Sequence, residues 1–148
     1  MEEKAMLKGI PEIVSPDLLK ILDEMGHGDD LVIGDLNFPA ASNAKRLIRA
    51  DGHGVLEMLD AILRLYPLDT FVDKPVILMQ KVPGDTVVPE VHEKIKQILR
   101  AHDPRGDDAI QMVDRFDFYE KAKQAYAIVA TTEHGAYGCV ILKKGVIR

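Results

Sequence analysis

Four consecutive apolar residues, Val76-Ile77-Leu78-Met79, stand directly after Pro75. A strand with one wet face alternates apolar and polar side chains. A strand with no polar side of its own must be covered on both faces. Residues 31–34, Leu-Val-Ile-Gly, form a second such run, which leads into Asp35. Two strands of this kind in a chain rich in helical patterns require a sheet packed between layers of helix.

The helical patterns lie between the strands. Ser15-Pro16 opens the first, with serine as N-cap and proline in the first turn. Leu18, Leu19, Leu22 and Met25 share one face, and Gly26 is placed to end the helix. Residues 55–66 carry Val55, Met58, Leu59, Ile62, Leu63 and Tyr66 at helical spacing, and Pro67 stops them. Pro89 opens a third helix with Val91, Ile95, Ile98 and Leu99 on its apolar face. Residues 103–108 are loop and 109–113 a weak strand. Asp117 and Glu120 have capping-box spacing for a short helix over 118–124. Residues 126–131 and 139–143 are β-rich and close enough in sequence to pair as a hairpin. The alternation predicts an α/β fold, a three-layer α/β/α sandwich whose central sheet is mostly parallel but mixed.

The chain has 148 residues, 47% of them apolar and 29% charged. That is the size of one domain, and it buries enough surface to need no metal or disulfide. A single domain over 6–148 is expected, with residues 1–5 a disordered leader and Met6 an alternative start. A net charge of −5 argues against a general nucleic-acid partner. The single cysteine, Cys139, allows no intrachain disulfide, and no apolar run approaches the roughly 20 residues of a membrane span. A cytoplasmic protein without a membrane partner is the expectation.

Several short constellations could carry chemistry. Gly26-His27-Gly28 sits between helix and strand, and the flanking glycines leave the imidazole uncovered. Histidine transfers protons in both directions near neutrality; a solvated loop histidine is the competing reading. Asp35 follows an apolar strand, where ligands gather in α/β sheets, or else forms an Asx turn into Asn37-Phe38-Pro39. Arg115 offers a forked set of donors suited to hydroxyl oxygens, or else an ion pair with Asp114 or Asp117. Tyr137-Gly138-Cys139 ends a turn and starts a strand; Gly138 permits close approach of a ligand, or serves only the turn.

Other patterns are set aside. Gly26-His27-Gly28 lacks the third glycine of a dinucleotide fingerprint and leads into a strand. No phosphate-binding Walker loop occurs. His92-Glu93 lacks the second histidine of a zinc-protease helix, and the five histidines and one cysteine show no zinc spacing. His92 and His102 read as solvated. Asp51-Gly52-His53-Gly54 reads as a turn entering a helix. Arg105-Gly106-Asp107 matches an adhesion tripeptide by coincidence. No cofactor is expected.

Taken in order, the segments resemble the L-fucose mutarotase branch of the fucose mutarotase/ribose pyranase family. They are Met6-Leu7-Lys8, Ser15-Pro16-Asp17-Leu18-Leu19-Lys20, Met25-Gly26-His27-Gly28-Asp29, Asp35, Phe38-Pro39-Ala40 and Ile48-Arg49-Ala50-Asp51-Gly52. Gly84-Asp85-Thr86, Arg115-Phe116, Phe118-Tyr119-Glu120, Tyr137-Gly138 and Leu142-Lys143-Lys144-Gly145-Val146 follow. The resemblance implies a cofactor-free isomerase that interconverts the anomers of a free monosaccharide, L-fucose or a close sugar. It implies His27 as proton donor, Asp35 and Arg115 as sugar-binding residues, and a site closed by Tyr137, Gly138 and Cys139. It implies a homodecamer of two stacked five-membered rings with sites between subunits. Two positions depart from the branch, which usually has asparagine in place of Cys139 and often histidine in place of Asn37. A D-ribose pyranase and a non-catalytic sugar-binding module remain the alternatives.

Overall fold

The computed structural model describes residues 7–148. The expected leader over 1–5, and Met6, lie outside the described residues. The elements run α1 (Pro16–Glu24), β1 (Asp30–Gly34), α2 (Ala40–Asn43), β2 (Leu47–Ala50), α3 (Val55–Leu63) and β3 (Val76–Met79). Then come α4 (Glu90–His102), a 3-10 turn (Gly106–Ala109), β4 (Ile110–Val113), α5 (Arg115–Gln124), β5 (Ala127–Thr131) and β6 (Val140–Lys143).

The strands form one sheet in the order β2-β5-β1-β6-β3-β4. β1, β2 and β5 pair in parallel, as do β3 and β4. β6 joins the two parallel blocks by pairing antiparallel with both β1 and β3. The sheet is therefore mixed, as the sequence predicts. The expected hairpin of the last two strands does not form, because β1 lies between β5 and β6.

Side-chain alternation builds the three layers. Leu31 and Ile33 face a core shared with α1, α3 and α4, while Val32 faces a second core with α2 and α5. In β6, Val140 and Leu142 join the first core and Ile141 the second. Both faces of the central strands are dry, which is why they read as unbroken apolar runs.

Local chemistry explains the helix ends. The Ser15 hydroxyl accepts from the Leu18 amide at 3.1 Å, as expected for an N-cap. The first helix stops at Glu24 with Met25 extended, so Gly26 does not cap it; the left-handed glycine of this turn is Gly28, at φ 87°. α5 begins at Arg115, earlier than predicted, because Asp114 rather than Asp117 is its N-cap. β2 and the short α2 escape the periodicity: β2 is an edge strand whose only buried side chain is Ile48.

Candidate functional site

The parallel strands β1, β3 and β4 deliver their carboxyl ends to one edge of the sheet, and β6 begins there. Ligands in α/β proteins collect at this edge. A cavity of about 260 Å³ opens on it, lined by Asp35, Asn37, Phe38, Met79, Val82, Arg115, Tyr119, Ala136, Tyr137 and Cys139. Four of the expected site residues, Asp35, Arg115, Tyr137 and Cys139, line this one pocket. Gly138 stands between two of them.

Asp35 makes the Asx turn of one sequence reading and also lines the cavity. One carboxylate oxygen accepts from the Asn37 amide at 3.0 Å and closes the turn. The other accepts from the Gly138 amide at 3.2 Å and ties β1 to the start of β6. Gly138 is required by packing: a Cβ there would stand 2.9 Å from Glu133 Cγ and 3.0 Å from the Gly135 carbonyl oxygen. Cys139 is buried, and burial together with the nearby Asp35 carboxylate holds its thiol well above the usual range. It presents an uncharged sulfur to the pocket wall.

Arg115 is exposed at the first residue of α5. The ion pair with Asp114 or Asp117 does not form, because Asp114 turns back to accept from the Asp117 amide at 2.8 Å. Among the described residues the guanidinium has no carboxylate partner and lies 4.8 Å from the Phe116 ring centre. It is available to oxygens entering the cavity.

His27 lies elsewhere. It precedes β1, whereas Asp35 follows it, so the strand separates them. Five residues at about 3.3 Å each make that separation roughly 16 Å. At the amino edge of β1, His27 has a partner that sequence reasoning missed. Its Nε2 lies 3.0 Å from Asp69 Oδ1. The Asp69 side chain is 3% exposed and that of His27 39%. Burial pushes the Asp69 carboxyl up, but the Phe71 amide and the His27 ring outweigh it and leave the group below the usual range. An ionised carboxylate only accepts, so Nε2 carries a proton towards Asp69, and Nδ1 is the ring nitrogen that Asp69 does not engage. The Phe71 ring packs edge-on at 4.6 Å between ring centres.

One chain segment holds both members of this pair. Gly28 N donates to the Lys144 carbonyl at 2.8 Å, and Asp69 N donates to the Lys143 carbonyl at 3.0 Å. A Cβ on Gly145 would stand 2.6 Å from the Leu68 carbonyl oxygen, so only glycine lets the Asp69 loop approach. The signal for Asp69 in the sequence is faint. It is a single carboxylate between two apolar pieces, Tyr66-Pro67-Leu68 and Phe71-Val72.

The remaining histidines differ from expectation. His92 is buried and its Nε2 donates to the Tyr137 carbonyl at 3.0 Å, while His102 Nε2 meets Asp60 Oδ1 at 2.7 Å. Gly52, at φ 87°, makes the predicted turn before α3. A larger cleft of about 510 Å³ against α1 and α3 is lined by His53, Glu57, Asp60 and Arg64. Its ionic groups pair with one another, His53 with Glu57 and Arg64 with Asp60. The smaller cavity at the strand ends fits a polar ligand better. Among the described residues, no group of three or more His, Cys, Asp or Glu side chains is placed to hold a metal ion. No helix among them is long and apolar enough to cross a membrane.

Residues 8–147 match the RbsD / FucU transport protein family. The chain belongs to this family. Within the RbsD/FucU family it is 48% identical over 141 residues to the L-fucose mutarotase of Actinobacillus pleuropneumoniae serotype 5b, covering 95% of this chain and 97% of that one. The FucU structure from Bifidobacterium longum superposes with a TM-score of 0.93 at 54% identity, covering 95% of this chain and all of that one (100%). The fucose mutarotase of Streptococcus pneumoniae in complex with L-fucose gives 0.92 at 48% identity, over 96% of this chain and 100% of that one.

Proposed function

We propose that this protein is an L-fucose mutarotase, an isomerase that interconverts the α and β anomers of the free sugar by opening its ring. The observation that carries the reading is the likeness, over nearly the whole chain, to a fucose mutarotase solved with L-fucose. The pocket supports it. A carboxylate at Asp35 and a guanidinium at Arg115 are the acceptor and donor that a polyol needs, set beside the apolar surfaces of Phe38, Tyr119 and Tyr137.

Mutarotation moves two protons and no electrons. The anomeric hydroxyl loses a proton and the ring oxygen gains one as the C1–O5 bond breaks. The aldehyde rotates, and the ring closes on its other face with the protons returned. His27 serves as the proton-transfer group through Nδ1, with Asp69 fixing the tautomer and stabilising the charged ring. Such catalysis supplies typically 10²–10⁴-fold. A protein that only binds sugar has little use for a titrating group held by a buried carboxylate, which favours the enzyme over the binding module.

The separation of His27 from the pocket supports a site shared between subunits. The His27 edge of one copy meets the Asp35 edge of the next in a head-to-tail contact, which repeats until a ring closes. Apolar side chains stand exposed at both edges. Phe71, packed on His27, is 62% exposed, and Phe116, beside the pocket-lining Arg115, is 69% exposed. Exposed apolar groups at a rim of polar ones mark contact surfaces. The assembly is a decamer of two stacked five-membered rings.

Saturation-transfer NMR with a panel of free sugars tests the function, because it reads anomer exchange directly. Exchange of L-fucose that persists in EDTA and without nucleotide is expected. Enzyme that leaves L-fucose exchange at the uncatalysed rate would overturn the reading.

A further inference from the structure

Tyr137 is the one non-glycine residue with a positive φ, 59°, among the described residues. A bulky side chain avoids this left-handed region unless its surroundings over-determine it. Three ties do so here. The phenol donates to Asp85 Oδ2 at 2.6 Å and accepts from the Val82 amide at 3.0 Å. The Tyr137 carbonyl accepts from the buried His92 at 3.0 Å. Asp85 is itself fixed, because its other oxygen accepts from the Val87 amide at 3.0 Å. The loop that follows β3, and the helix it enters, thus grip a pocket-lining residue from behind.

A phenol has a single hydrogen to donate, and that of Tyr137 is engaged by Asp85. We propose that Asp85 is a positioning residue for sugar binding: it latches the Tyr137 phenol, so that Tyr137 meets the sugar with its ring as a fixed wall and not with a donated hydrogen bond. The ring offers a flat apolar surface to the C–H and methyl groups of a 6-deoxy sugar, in the same cavity as the polar pair of Asp35 and Arg115. The proposal rests on the reading of this cavity as the sugar site.

The test compares Asp85→Ala, Asp85→Asn, Tyr137→Phe and the Asp85→Ala/Tyr137→Phe double variant in L-fucose exchange. Losing one such hydrogen bond is worth about two- to tenfold. Asp85→Ala is expected to raise KM by about that factor with kcat little changed. Asp85→Asn, whose amide oxygen still accepts, is expected to restore wild-type KM. In the Tyr137→Phe background the alanine change should add nothing, since the latch is already open. An unmoved KM in Asp85→Ala would overturn the proposal, even if the melting temperature fell, and so would KM effects that multiply in the double variant. A sugar-free arm separates the latch from the sugar reading. With ring-labelled tyrosine, the Tyr137 phenol should titrate at lower pH in Asp85→Ala than in wild type, because the carboxylate holds it up. No change there would overturn the latch whether or not the wild type exchanges L-fucose. Wild type that does not exchange the sugar, with the phenol shift intact, would instead remove only the link to sugar binding.

Discussion

At the residue scale, the proposed chemistry rests on an imidazole whose two nitrogens have different surroundings. Nε2 meets Asp69, and Nδ1 has no hydrogen-bond partner among the described residues. His27→Ala is expected to slow L-fucose exchange by on the order of 10²-fold or more while leaving the fold intact. Asp69→Asn keeps the shape, yet its amide can donate as well as accept, so the ring tautomer is no longer fixed. Exchange should fall there too, with less change in KM than in kcat. NMR exchange rates on both variants decide the matter: wild-type rates in His27→Ala would remove it from the reaction. Asp69 shows why only half of this pair is legible in the sequence. The glycines around His27 advertise an open loop. Asp69 lies 42 residues away, and nothing local distinguishes it from a turn residue, because what makes it special is burial beneath Phe71 and the Lys143–Gly145 segment.

At the scale of elements, legibility follows solvent. β1 and β3 are dry on both faces and stand out as apolar runs; β2, at the edge with one buried side chain, does not. The order of strands is also hidden, since β5 and β6 are neighbours in sequence but flank β1 in space. α4 carries a further consequence. His92 is buried among its apolar residues, and burial lowers its basicity below the usual histidine value of 6.5, aided by nearby Lys96 and opposed by the Tyr137 carbonyl. The unfolded chain therefore binds a proton more readily than the folded one as pH falls below about 6.5, and stability declines through that window. His92→Gln can still donate to the Tyr137 carbonyl but does not titrate. Denaturant unfolding at pH 7.5 and pH 5 should show a larger loss for the wild type than for His92→Gln. Equal losses in the two proteins would show that His92 does not contribute to this acid sensitivity.

At the scale of the whole molecule, the two ends of one chain carry complementary equipment. The pair proposed for proton transfer, His27 and Asp69, sits at the amino edge of β1, and the groups proposed to bind sugar, Asp35 and Arg115, at its carboxyl edge. A shared site predicts complementation. His27→Ala and Arg115→Ala, each inactive alone, are unfolded and reassembled as an equal mixture. About a quarter of the sites should then draw an intact His27 from one copy and an intact Arg115 from its neighbour, for random placement around a ring. Activity that stays at the level of the parent variants, in rings shown by mass spectrometry to be mixed, would place both groups in one subunit.

β6 gives this arrangement its dimensions. The chain enters it from Gly138 and Cys139 at one edge and leaves through Lys143 and Lys144 against the His27 and Asp69 loops. Its neighbours on both sides run the other way, and every residue of the strand is paired to β1 or to both β1 and β3. A strand locked on two flanks neither stretches nor slides, since a slip of one residue would exchange its buried faces. It works as a ruler: in a ring, the spacing from one sugar to the next would be set by four residues of backbone and would repeat without accumulating error.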